Sequence, residues 1–156
     1  MKLAAEAKAS KAPAAPRVRL VAVERVIAAE EIGPPVRLPM AAARHAQTVL
    51  SGKDREHFMV LHLDARHRVV SLEVVSVGTL TSSLVHPREV FKGAMLANSA
   101  AVICAHNHPS GDVKPSEEDR QVFDRLKEAG ELLGIPLLDF LIVSEADMWS
   151  ASEHWT

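Results

Sequence analysis

The sequence predicts an α/β fold, a mixed-sheet α-β-α sandwich, on three observations. Residues 100–105 (AAVICA) and 137–143 (LLDFLIV) are continuous apolar runs, as expected of strands buried on both faces. Between them, Val122, Leu126, Ala129 and Leu133 recur at helical spacing. Upstream, two strand-like runs lie either side of a short polar turn, which makes an antiparallel hairpin. A hairpin beside a strand–helix–strand unit gives a sheet of mixed direction with helices packed against it.

The elements follow in order. Residues 1–16 are rich in Ala, Lys and Pro and are expected to be disordered, and VRLVAVERV (18–26) alternates well enough for a lead-in strand. Gly33, Pro34, Pro35 and Pro39 punctuate the chain before a short helix over 40–50, which Ser51-Gly52 ends. FMVLHL (58–63) and VVSLEVVSV (69–77) are the hairpin strands, and 64–68 is their turn. His86-Pro87 opens a helix to about Ala97, with Val90, Phe91, Ala94 and Met95 on its inner face. Pro115-Ser116 opens the longer helix, Gly134 closes it, and a last strand covers 148–151. The domain is thus expected over 36–156, with 1–35 as a basic tail and lead-in strand.

Composition narrows the function classes. The 156 residues fit one core, and 47% hydrophobic with 24% charged residues is ordinary for a globular domain. No run approaches the roughly 18 apolar residues of a membrane span, and the N-terminus lacks the apolar stretch of a secretory signal. A single cysteine excludes an intramolecular disulfide framework and fits a reducing, cytoplasmic setting. Net charge is −2, unevenly placed. Residues 1–26 carry six basic side chains (Lys2, Lys8, Lys11, Arg17, Arg19, Arg25) against Glu6 and Glu24, or +4, leaving −6 for the remainder. A basic tail can touch nucleic acid, but a solubilising tail explains it as well. Aromatic residues are 4% of the chain, so stacking platforms for single-stranded nucleic acid are scarce.

The chemistry concentrates in AHNHPSGDVKPSEED, residues 105–119. His106 and His108 stand where a buried strand runs out into a loop; residues two apart in extended chain point the same way. Pro109, Ser110 and Gly111 turn the chain, and Asp119 falls in the first turn of the next helix. Two imidazoles and a carboxylate are a three-ligand set that leaves zinc a fourth position for water, the catalytic rather than the structural arrangement. A second reading stays open for the same residues: Ser116-x-x-Asp119 at a helix start is also a capping box, which needs no metal. For a general base, Glu56, Glu73 and Glu89 are all candidates, and each is equally a solvated surface charge.

The spacing His106-x-His108, ten residues, Asp119, with Ser116 three before the aspartate, is similar to the JAMM (MPN+) metalloprotease motif. The wider runs EHFMVLHLD from Glu56, GTLTSSLVHPREVF from Gly78, AHNHPSGD, PSEEDRQ and LKEAGELLGIPLLD from Leu126 resemble RadC-type bacterial proteins over about residues 40–153. That resemblance implies the JAMM/MPN (cytidine-deaminase-like) form of the sandwich and a zinc ion on His106, His108 and Asp119. It also implies Glu56 as the general base and Ser116 as the donor to the tetrahedral oxyanion, roles that suit a non-ligand carboxylate and a hydroxyl. The implied activity is hydrolysis of a peptide or isopeptide bond in an unidentified substrate. The sequence departs from the family in two places. It lacks room for the usual N-terminal helix-hairpin-helix, which weakens any DNA role, and Phe140 stands where the family tends to have His, in reach of a ligand contact or the cleft wall.

Two other functions compete. A metal-dependent nuclease is suggested by the literal His-Asn-His, but a body near −6 repels phosphates. A non-catalytic zinc-binding interaction module needs neither Glu56 nor Ser116. A zinc deaminase lacks its Cys-x-x-Cys here, and a (β/α)₈ amidohydrolase needs roughly 250 residues. Among smaller features, His86 is either a cleft residue or a plain helix-start histidine, and His57, His62 and His67, on or beside the hairpin, are expected to be surface or flanking residues. Cys104 is expected in the core. Oligomeric state is not legible.

Overall fold

A computed structural model describes residues 33–78 and 85–155 of the chain. The expected tail and the lead-in strand at 18–26 lie outside the described residues. Helix α1 (Pro39–Leu50) begins with proline at its first position, where the missing N–H costs nothing. It is followed by the hairpin β1 (His57–Leu63) and β2 (Val69–Val77), helix α2 (Pro87–Leu96), strand β3 (Ala101–His106), helix α3 (Glu117–Leu133), strand β4 (Leu137–Val143), strand β5 (Met148–Ser150) and a short helix α4 (Ala151–His154). The sheet order is β2-β1-β3-β4-β5, with β3 and β4 parallel and the other pairs antiparallel. The mixed α/β sandwich is therefore the fold observed.

The two sheet faces carry separate apolar clusters. Met59, Leu61, Leu63, Ile103, Ala105, Leu141 and Val143 meet α1, whose Ala42, Ala43 and Ala46 are small enough to bring the helix close to the strands. Phe58, Val60, Val102, Cys104, Phe140 and Ile142 meet α2 and α3 through Val90, Phe91, Phe123 and Leu126. His106, one residue pair along from Cys104, therefore faces α3 (alternation along the strand dictates the side). That places the strand end and the first turn of α3 over the same side of the sheet.

Three expectations are corrected. On α2, Met95 is exposed and Gly93 is buried in its place, lying against His62 and Glu73 so closely that a Cβ would collide with the Glu73 carboxylate. On α3 Leu126 is buried as the stripe indicates, but it shares the buried face with Asp119, Phe123 and Gly130, while Val122 and Ala129 are only partly buried and Leu133 is exposed. Gly130 sets that rotation, because a Cβ there would stand 2.7 Å from the Ile135 carbonyl oxygen, and only glycine lets the helix turn this edge inward. At the C-terminal end, β5 stops at Ser150 and α4 begins. The buried Asp139 carboxylate accepts hydrogen bonds from the Ser150 hydroxyl (2.7 Å) and from the Ser152 amide (3.0 Å), anchoring that helical turn.

Candidate metal centre

Strand β3 ends at His106, which pairs in register with Phe58 of β1 and Ile142 of β4. Its ring is only 1% exposed, stacked on Phe58 (centroids 5.9 Å apart) and touched edge-on by Phe140 (5.2 Å). The few aromatic residues thus form a dry wall behind one imidazole. Beyond the strand the chain turns through Pro109 to Gly111, where the positive φ of 78° suits glycine. Within that turn His108 Nδ1 lies 2.8 Å from the Asp112 carbonyl oxygen. A carbonyl only accepts, so Nδ1 carries the hydrogen and the neutral ring keeps its lone pair on Nε2. That Nε2 points at His106 Nε2, 3.1 Å away.

Asp119 arrives from the other side, at the third position of α3. Its Oδ1 is 2.9 Å from His106 Nε2 and its Oδ2 is 3.5 Å from His108 Nε2. The capping box read from the sequence is also real. Ser116 Oγ accepts from the Asp119 amide (3.1 Å), while Asp119 Oδ2 accepts from the Ser116 amide (2.7 Å) and hydroxyl (2.8 Å). Cap and cluster coexist because the two carboxylate oxygens divide the work. Burial alone would raise the Asp119 carboxyl, but its close contacts with the His106 and His108 rings outweigh it and hold the group far below the usual carboxylate range. The same carboxylate raises His108, against the burial that would lower it.

The donor set fits a metal ion. Ligand atoms of His106, His108 and Asp119 lie within 4.8 Å of one another, and they are the one such group among the described residues. Two imidazole nitrogens 3.1 Å apart need a proton or a cation between them, and the anionic oxygens alongside favour the cation. Two nitrogens and one oxygen leave room in a four-coordinate shell for a further ligand. Beside the cluster runs a groove of about 320 Å³, lined in part by Lys53, Asn107, His108 and Glu145.

Glu56 precedes β1 and is half-buried. Burial raises its carboxyl, and the attraction of His106 and His108 and the repulsion of Asp119 all reach it, so it shares the field of the cluster. The rival carboxylates have other partners: Glu73 lies 3.7 Å from His62, and Glu89 pairs with Lys92 at 2.6 Å. His86 caps α2, accepting from the Arg88 amide at 3.2 Å, the plain helix-start reading. His67 is exposed and His57 half-buried, but His62 is 3% exposed, which corrects its expected surface or flanking place. As β1 is flanked by β2 and β3 and has α1 over one face and α2 beside His62 on the other, neither of its faces reaches water. Cys104 is buried, and burial pushes its thiol far up. Sequence reasoning passed over Asn107, 5% exposed between the two histidines. Its signal was a polar residue directly following a buried strand.

Residues 36–155 match the sequence profile of the RadC-like JAB domain. The chain belongs to this family. Its relatives include UPF0758 proteins of Rubrobacter xylanophilus, 53% identical over 67% of this chain and 46% of that protein, and of Chlorobaculum parvum, 48% identical over 70% and 50%. A third, from Shouchella clausii, is 44% identical over 79% of this chain and 54% of the relative. The chain spans about half the length of these curated relatives. A RadC-like JAB domain suggests metal-dependent hydrolysis, and this one carries a His-His-Asp group able to hold a metal ion. No helix among the described residues is long and apolar enough to cross a membrane.

Proposed function

We infer that this RadC-like JAB domain is a zinc-dependent hydrolase of peptide or isopeptide bonds. The observation that carries the reading is the convergence of His106, His108 and Asp119 with the half-buried Glu56 in the same electrostatic field. A bound zinc ion would supply a water acidified to a pKa of about 7 and a Lewis acid for the carbonyl. Glu56 takes the proton of the attacking water and delivers it to the leaving amine. Ser116, whose hydroxyl donates to Asp119 Oδ2 at 2.8 Å, turns that hydrogen toward the developing oxyanion while its backbone amide keeps the carboxylate in place. The groove beside Asn107 and His108 is polar and open, suited to an extended peptide segment.

The test has two stages. Mass spectrometry of purified protein should find about one zinc per chain, and none in His106→Ala/His108→Ala. The zinc-loaded protein is then offered a pooled library of peptides and lysine-linked isopeptides, with Glu56→Ala alongside. Cleavage lost in Glu56→Ala with zinc retained supports the mechanism; equal cleavage by the variant rejects it. A complete capping box needs no ion, so zinc-free wild type after reconstitution would leave Ser116 and Asp119 as a helix cap alone.

A further inference from the structure

The ladder between β1 and β3 ends at the pair Phe58 and His106, so the next residues, His57 and Asn107, lie beyond the last paired position. There a side chain takes over from the backbone. Asn107 Oδ1 accepts from the His57 amide at 2.9 Å, and Asn107 Nδ2 donates to the Arg55 carbonyl at 3.0 Å. The carboxamide has one orientation that satisfies both, oxygen toward the N–H and nitrogen toward the C=O. It is 5% exposed, so neither bond competes freely with water. The residue bracketed between those two bonds is Glu56. Its own carbonyl accepts from the Gly78 amide at 2.8 Å, which fixes the remaining side of the same peptide.

We propose that Asn107 is a positioning residue that holds Glu56 against the His106/His108/Asp119 cluster. The geometry gives a reason for a polar side chain between two histidines that themselves face α3. Asn107 shares its backbone with both, so any shift of the ligand segment carries the Glu56 segment with it. The distance from base to ligands is thereby set by two hydrogen bonds and one residue of chain. A base displaced by about 1 Å can lose about 100-fold in rate, whereas Asn107, although it borders the groove, is 5% exposed and its carboxamide is spent on the two backbone bonds, so it offers a bound peptide little to hold. Asn107 touches no reacting atom and acts through Glu56. This inference rests on the reading of Glu56 as the base, and its test separates the two.

The first measurement needs no substrate. In Asn107→Ala, hydrogen exchange at the His57 amide should accelerate about tenfold, while the Val60 and Leu61 amides within β1 keep their protection and zinc content stays at the wild-type value. Uniform acceleration along β1 and β3, or loss of zinc, overturns the proposal, because Asn107 would then support the strands or the ligands rather than Glu56. The second measurement uses the best-cleaved peptide of the pooled library. Asn107→Ala should lower kcat by about 10- to 100-fold with KM within about threefold, and should add no further loss on a Glu56→Gln background. A kcat loss that persists in full in Glu56→Gln, or a loss expressed in KM, overturns it. If Glu56→Gln itself cleaves normally, the base assignment fails, and the His57 exchange rate still decides whether the clamp exists. Should Asn107→Ala not fold, the same measurements are made on Asn107→Ser, whose shorter side chain cannot span both backbone partners, and an unchanged His57 exchange rate there overturns the proposal.

Discussion

Ser116 and Asp119 hold each other three times: the Ser116 hydroxyl accepts from the Asp119 amide, and Asp119 Oδ2 accepts from both the amide and the hydroxyl of Ser116. The pair leaves Oδ1 turned to His106. A helix cap is in this way also the device that aims a ligand. Replacing Ser116 with Ala removes the cap, which typically costs about 1 kcal/mol. Thermal unfolding of the chelator-treated protein should therefore shift down by a few degrees, and Ser116→Thr should recover most of the shift. An unchanged midpoint in Ser116→Ala would mean that the hydroxyl caps nothing.

Zinc should stabilise the fold by mass action, since its ligands come together only in the folded chain. At free zinc about 100 times the dissociation constant the gain is about 2.7 kcal/mol. Titrating zinc into chelator-treated protein should raise the unfolding midpoint, and Asp119→Asn should abolish most of the rise. An equal rise in Asp119→Asn would place the ion elsewhere.

Gly130→Ala sets two effects against each other. Alanine favours a helix over glycine by about 1 kcal/mol. Its Cβ, however, would stand 2.7 Å from the Ile135 carbonyl oxygen and 3.2 Å from the Leu137 amide nitrogen, both backbone atoms that cannot swing aside. The collision wins, with a net loss of about 1–3 kcal/mol in chemical denaturation. A stabilised variant would show that the end of α3 has slack.

His62 gives the fold an acid sensitivity. Burial holds its pKa below the ordinary 6.5 despite the Glu73 carboxylate 3.7 Å from Nε2, while Nδ1 contacts Ser71 Oγ at 2.7 Å. The unfolded chain therefore takes the proton more readily than the folded one. The stability due to neutral His62 is complete above pH 6.5 and is lost as the pH falls from there toward the lowered folded value. Denaturation of chelator-treated protein at pH 7.5 and 5.5 should show a larger acid loss for wild type than for His62→Asn. Equal losses would assign the effect to other groups.

Much of this was legible before any coordinates. The hairpin, α2, α3 and β4 have the bounds that proline, glycine and the apolar runs indicate, because those signals act on neighbouring residues. Which way α3 faces was not legible. Val122, Ala129 and Leu133 make as good a stripe as Phe123 and Gly130, and the choice is made by a close approach to Ile135 that no local pattern encodes. His62 was misplaced for a related reason: its burial depends on α2 crossing over β1, a contact across about 30 residues. At the site, the spacing of His106, His108 and Asp119 was readable, whereas the bracket that Asn107 makes around Glu56 joins segments 52 residues apart.

His106 ends β3, His108 lies in the turn just beyond it, and Asp119 belongs to α3, with ten residues between His108 and Asp119. The histidine pair can form as soon as the strand end and the turn after it are in place, but the carboxylate arrives only when the helix has docked. An ion would thus meet a half-built site early in folding and a closed one late, so the moment of tight capture dates the docking of α3. Stopped-flow refolding with a fluorescent zinc indicator would turn that order of events into a time.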